Sequence, residues 1–162
     1  MATPDVPPPR VVEFFVPGRS APKGSTGSFR SASTGRIVTL TDSKHLPLWA
    51  ASVRLAAFQH WGRPPAEKGI AIRLDLRFIV ARPKYHYGTG QNAGRVKKSY
   101  LAILPTGDPD RDKLLRAIQD ALEGVVYRND SQVTHGPTCK MYGPEPGVHI
   151  RISYAKDTVT GE

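Results

Sequence analysis

The chain has 162 residues, 39% of them hydrophobic and 23% charged, with a formal net charge of +9 and a sequence pI near 9.9. That length suits one domain with a modest core, and no apolar run approaches the ~18 residues of a membrane-spanning helix. A single cysteine, Cys139, excludes an internal disulfide and a thiolate metal site and is expected to pack as a small apolar residue, while the charge favours polyanionic partners, nucleic acid foremost, through counterion release.

In chain order, "MATPDVPPPR" is proline-rich and polar, and residues 1–9 are predicted to form a flexible arm. The arm has neither the basic start nor the apolar stretch of a secretory signal, so a cytoplasmic setting is expected. "RVVEFFVPG" predicts a strand from Arg10 to Val16, closed by Pro17 and Gly18. "RSAPKGSTGSFRSASTGR" is poor in apolar residues, with Arg19, Lys23, Arg30 and Arg36 spaced along it, and predicts a mobile basic loop. "IVTLTD" reads as a brief strand leading to a helix that Asp42 or Ser43 would cap. Over about Leu48 to Trp61, Leu48, Ala51, Leu55 and Phe58 recur every three or four residues, beside Trp49, Val53, Ala56 and Ala57. This helix is expected to bury a broad apolar face.

Strict alternation in "IAIRLDLRFIV" predicts a strand from Ile70 to Val80, with Arg73, Asp75 and Arg77 opposite the core face. The connection that follows carries Arg82, Lys84, Arg95, Lys97 and Lys98 among Tyr85, Tyr87 and Tyr100, a mixture suited to a phosphate backbone and exposed bases. A second helix is bounded by Pro109 and Gly124, beginning at Asp110 or Asp112 and ending at Glu123. Its stripe is Leu114, Leu115, Ile118, Ala121 and Leu122, which puts Asp112, Arg116 and Asp120 on a neighbouring side. After an Asn-Asp turn, one strand is expected through about Met141, then a turn at "GPEPG" and a last strand, "VHIRISY". The pattern predicts a single α+β domain over residues 10–156, a mixed and mainly antiparallel sheet with two main helices and a terminal hairpin, followed by a flexible tail at 157–162. His45, His60, His86, His135 and His149 lack paired ligand spacing and are expected at the surface or in strands. Ser131 has no evident base partner, so no serine nucleophile is expected.

Six of the fourteen carboxylates fall between Asp108 and Asp130. Asp110 and Asp112 at a helix start are explained by capping and the helix dipole. The addition of Asp120 and Asp130 is harder to explain that way. Carboxylates that converge repel unless a cation is present, and magnesium takes carboxylates, waters and substrate phosphates together. Acids to hold a metal and basic loops to hold a backbone form a coherent pair.

The same segment resembles the RusA family of Holliday junction endonucleases, whose members carry a stretch of the form PDxDNLxKAxxDALNGxxxxDDSQV. Here Pro109, Asp110, Asp112, Leu114, Arg116, Ala117, Asp120, Ala121, Leu122, Gly124, Asp130, Ser131, Gln132 and Val133 stand in step with it. "FFVPGRSAPKG", "ARPKYHY" and "GVHIRI" extend a looser similarity over most of the chain. The resemblance implies a homodimeric α+β nuclease that needs Mg2+ and cuts four-way DNA junctions by symmetric nicks in recombination and repair, in a bacterial cytoplasm whether host- or phage-encoded. It implies Asp110, Asp112 and Asp130 as catalytic metal ligands, Arg116 where the family has an essential lysine, and Asp120 as a further acid, either a ligand or a partner that orients Arg116. Two positions depart: Lys113 replaces an asparagine, and Asn129 replaces the first acid of an Asp-Asp pair. Lys23, Arg30, Lys84, Arg95, Lys97, Lys98 and Lys113 are the candidate DNA contacts. Two other readings compete: a junction-binding protein of the same fold with weakened or lost cleavage, and a basic RNA-binding protein whose acids merely cap a helix.

Overall fold

The computed structural model describes residues 11–24, 27–30, 37–40 and 45–155, so residues 1–9, Arg36, Asp42, Ser43 and 157–162 lie outside the described part. The strands are β1 (Val12–Pro17), β2 (Gly27–Arg30), β3 (Ile37–Leu40), β4 (Ile72–Ala81), β5 (Val133–His135), β6 (Thr138–Gly143) and β7 (Gly147–Tyr154). The helices are α1 (Leu46–Trp61) and α2 (Arg111–Leu122). The main sheet is mixed. β7 lies antiparallel between β1 and β4, and the other edge of β4 takes β5 and β6 in parallel. β2 and β3 form a separate antiparallel pair, so the segment expected to be all loop contains a strand.

The alternation read from the sequence sets the layers. Ile72, Leu74, Leu76 and Phe78 of β4 join Val148, Ile150 and Ile152 of β7 and Val12, Phe14 and Val16 of β1 on one buried face. α1 and α2 cover that face with Trp49, Val53, Ala57, Trp61, Leu114, Ile118 and Leu122. Full burial of a large apolar side chain contributes roughly 1.5–3 kcal/mol, so this interdigitated layer is the main source of stability.

Three expectations need correction. First, α1 buries a stripe at strict four-residue spacing, Trp49, Val53, Ala57 and Trp61, and leaves Leu48 and Phe58 74% and 70% exposed, with Leu55 also exposed. Two tryptophans at the ends of the stripe outweigh the leucine and phenylalanine pattern. Its N-cap is His45, with a proline in the first turn. Second, the strand expected through Met141 is two strands, and β6 does not form a hairpin with β7. Gly136, at φ 139°, passes so close to β4 that a Cβ there would meet the Leu74 carbonyl oxygen at 2.0 Å, and the Pro137 carbonyl accepts from the Leu76 N–H at 2.9 Å. Pro137 has no N–H of its own to continue a ladder, so the chain is interrupted between two pieces that both align parallel to β4. Third, Cys139 is exposed on the sheet face away from the helices.

Candidate active site

The acidic segment reaches the carboxyl end of β4 and the start of α2. Asp110 is the N-cap of α2, and its carbonyl accepts the Leu114 N–H at 3.1 Å. Its side chain makes no capping hydrogen bond. An N-cap aspartate ordinarily turns its carboxylate back on the first-turn amides. Here the carboxylate faces the Lys113 ammonium at 3.2 Å instead. Asp112 lies in the first turn and is exposed. The loop before them is pinned from the sheet: Lys140, on the helix side of β6, donates to the Gly107 and Pro109 carbonyls at 2.7 and 2.9 Å. The Arg111 guanidinium reaches the Thr138 carbonyl at 3.4 Å. Neither role was legible in the sequence, where Lys140 is one lysine in a short strand.

Asp130 begins a 3-10 turn, Asp130–Gln132, and is exposed. The turn is capped by Asn129, whose Oδ1 accepts the Ser131 N–H at 3.0 Å, while Gln132 Oε1 accepts the Asn129 and Arg128 N–H groups. Gln132 is buried, and its amide nitrogen donates to the Glu67 and Ile70 carbonyls at 2.9 and 3.1 Å. The departure at Asn129 thus has a structural account: asparagine caps as well as aspartate does, and among the described residues Asp130 makes no ion pair.

The site residues form two groups along α2. Asp110, Asp112 and Lys113 stand at its N-terminal end. Asp120 lies eight residues beyond Asp112, about 12 Å of helical rise, and with Asp130 and Glu123 it is near enough to Tyr127 for its charge to act on the phenol hydroxyl. That hydroxyl is buried and donates to the Gln119 carbonyl at 2.8 Å. Burial first, then the charges of Asp130, Glu123 and Asp120, push its pKa far above the usual 10. Among the described residues no three His, Cys, Asp or Glu side chains stand close enough to hold one metal ion. Arg116 is exposed on the same helix. Asp120 pairs with Lys23, not with Arg116.

Lys23 is therefore part of the site's framework, and its backbone N–H also donates to the Lys113 carbonyl at 3.1 Å. For Arg30 only the backbone path is described. Lys84, Arg95, Lys97 and Lys98 are exposed on the segment 82–104, which is built of 3-10 turns at Lys84–His86, Gly90–Asn92 and Lys98–Tyr100. It is organised by a histidine expected at the surface. His86 is 2% exposed, stacks on Tyr100 at 4.2 Å and meets Tyr85 and Tyr142 edge-on. Burial, then the charges of Arg82 and Lys97, hold its pKa below the usual 6.5. Arg82 donates to the Tyr100 carbonyl at 2.7 Å, and Lys97 to that of Tyr85 at 3.0 Å.

Exposed carboxylates at a helix start, cations along the segment before it and a mixed sheet behind them describe a basic α+β protein. Comparison with known proteins identifies the class. The family model for endodeoxyribonuclease RusA matches residues 21–153, and the chain belongs to that family. It is also 28% identical over 142 residues to an uncharacterized protein, YqaN, of Bacillus subtilis strain 168, covering 87% of this chain and 94% of that protein. Family membership implies endodeoxyribonuclease activity directed at Holliday junctions, and nucleases of the family generally depend on a divalent metal. Among the described residues no helix is long and apolar enough to cross a membrane.

Proposed function

We propose that this chain is a Mg2+-dependent endonuclease that resolves four-way DNA junctions by paired symmetric nicks, acting as a homodimer in cytoplasmic recombination and repair. The observation that carries the reading is Asp110: it occupies the N-cap of α2, yet its carboxylate makes no capping hydrogen bond to the helix and sits 3.2 Å from the Lys113 ammonium.

The donor set fits the ion. Mg2+ is held by one or two carboxylates with waters and substrate phosphate completing the shell, and Asp110 and Asp112 supply two hard oxygen donors one residue apart. Asp130, the third acid of the expected set, stands in the other group, near Tyr127. When bound, the ion supplies Lewis-acid charge and lowers the pKa of a coordinated water. The protein's own residues do the rest. Lys140 and Arg111 fix the approach to Asp110 through backbone carbonyls. Arg116 presents charge that is available to a scissile phosphate as negative charge builds on it, and its planar fork takes the place of a compact ammonium. Asp120 holds Lys23 against α2. Lys84, Arg95, Lys97 and Lys98 offer contacts to the junction arms, with Lys113 closer to the acids. Two nicks related by a dyad require two sites, and a C2 dimer provides them.

Substitution Asp112→Asn is expected to leave junction binding in Ca2+ within about twofold while lowering Mg2+-dependent cleavage by at least ~100-fold, the scale of losing a transition-state charge partner. Undiminished cleavage would remove Asp112 from the chemistry. One contact favours a second reading, a junction-binding protein with weakened cleavage: the Lys113 ammonium already sits on Asp110 and competes with a cation there. Under that reading Lys113→Asn, restoring the family's usual residue, raises cleavage.

A further inference from the structure

Segment 82–104 and β6 gather four aromatic rings into one cluster, and one of the four stands in water. Buried His86 stacks on Tyr100, with ring centroids 4.2 Å apart and planes within 15°. Tyr142 of β6 meets His86 edge-on at 5.2 Å. The fourth ring, Tyr85, stands nearly perpendicular to His86 at 4.6 Å and to Tyr100 at 5.7 Å, yet it is 63% exposed. His86 and Tyr100 are themselves neighbours, so they support Tyr85 from one side and leave the rest of its ring to solvent. Its backbone is fixed as well: it lies inside the 3-10 turn Lys84–His86, and its carbonyl accepts from Lys97 Nζ at 3.0 Å. A lone exposed apolar side chain calls for no explanation. A ring propped on two others, one of them buried, is a built surface.

The charge around that ring is of one sign. Lys84, Arg95, Lys97 and Lys98 are exposed on the same segment, and residues 82–104 contain no acid. A π face among cations is the combination that takes unpaired nucleotides, since the cations meet phosphates while a base of any identity stacks on the ring. Bases inside a duplex are covered by their neighbours and offer no such face. We propose that Tyr85 is a stacking platform for an unpaired base, which makes segment 82–104 a single-stranded DNA site distinct from the engagement of paired junction arms. The inference takes DNA as its ligand from the function proposed above, but not the metal chemistry. Platform and acids share one anchor. Tyr142 supports the aromatic cluster, and Lys140, on the same face of β6, holds the Gly107 and Pro109 carbonyls just ahead of Asp110. Two residues along a strand are about 7 Å apart, so one short stretch of β6 sets the platform relative to the acids.

The probe is a fluorescently labelled oligothymidylate of about 12 nucleotides, within the length such grooves cover, titrated with the full chain in EDTA and followed by anisotropy beside a duplex of equal length. Tyr85→Leu keeps apolar bulk against His86 but removes the π face. It is expected to weaken oligothymidylate binding about tenfold and duplex binding less than about twofold, the scale of one lost base stack. Tyr85→Phe should stay within about threefold of the wild type on both. Where Tyr85→Leu loosens the segment toward protease, Tyr85→Trp carries the comparison: its larger ring should tighten single-strand binding and leave the duplex unchanged. Equal losses on single strand and duplex overturn the inference, because they mark a role in the fold or in charge alone. So does oligothymidylate binding that neither Tyr85→Leu nor Tyr85→Trp alters. The Tyr85→Leu titration is then repeated on a junction with four paired arms and on one with a single-stranded arm. A loss on both places the stacked base at the branch point, a loss on the second alone places it in the arm, and a loss on neither overturns the site. Tyr85-dependent oligothymidylate binding without Mg2+-dependent cleavage of either junction leaves the platform standing and sinks the nuclease reading.

Discussion

The acidic segment, residues 107–133, and the basic segment, residues 82–104, meet at the carboxyl end of β4, from which the acidic segment runs along α2 to the other end, where Val133 pairs with Ile72; the two are held in different ways. The first is organised from local signals. Pro109 and Gly124 bound a helix, an apolar stripe fixes its rotation, and Asn129 with Gln132 closes the next turn. The second has no regular element longer than one 3-10 turn, and its shape depends on His86 filling an aromatic cage that includes Tyr142 of β6. On the proposed function, chemistry is assigned to carboxylates on and beside a helix, and substrate contact to cations on a segment whose order depends on one buried imidazole.

Substitutions that act on one region alone test that division. The largest effect is expected from His86→Ala, which removes the centre of the cage. Residues 82–104 should be cut by a nonspecific protease on the order of 30-fold faster, since local opening governs such cleavage. The melting transition of the sheet should move little. If the whole domain loosens equally, the two regions are not independent. Lys140→Met acts on the other side. Loss of its bonds to the Gly107 and Pro109 carbonyls should slow junction cleavage about tenfold, because small displacements of catalytic groups are costly, with protease resistance of 82–104 unchanged.

Acid provides a third separation. Because the folded pKa of His86 is lowered, the unfolded segment binds a proton more readily than the folded one. Stability from the neutral imidazole is complete above about pH 6.5, declines as pH falls below that value, and is lost once pH is below the lowered folded value. Hydrogen exchange between pH 7.5 and 5.5 should show falling protection at residues 82–104 relative to β4, after correction for intrinsic exchange. His86→Phe should flatten that trend. A trend unaltered by His86→Phe belongs to another group.

How much was legible in the sequence follows the same line. The β4 alternation, the α2 boundaries and the α2 stripe are local periodicities, and the structure reproduces them within a residue or two. The burial of α1 was misread because its leucines and Phe58 and its tryptophans form rival stripes on one helix, and only the position of β1 and α2 selects between them. The break at Gly136 and the parallel placement of β6 arise from a close approach to β4, a contact no local pattern encodes. His86 looked like a surface residue because its partners, Tyr100 and Tyr142, lie 14 and 56 positions away. Among site residues, the acids and Arg116 were visible as a motif, whereas Lys140 acts through backbone carbonyls, which leave no trace in residue type.

The smallest expected effect distinguishes two lysines that look alike in the sequence. Lys98 is exposed on the aromatic segment, and no carboxylate pairs with it among the described residues. Lys23 pairs with Asp120. A lysine that neutralises one phosphate contributes about one unit to the dependence of log affinity on log salt. Lys98→Met should therefore reduce the slope for junction binding by about one. Lys23→Met should reduce it by clearly less, because removing Lys23 also uncovers Asp120. Their contribution to folding should be small as well: an exposed pair of this kind contributes about 0–1 kcal/mol, so the Lys23→Met, Asp120→Asn cycle should show coupling below that limit. A full unit of slope lost with Lys23 would mean that the ammonium leaves Asp120 for the backbone, which would move Lys23 from the framework of the acidic region to the substrate-contacting side.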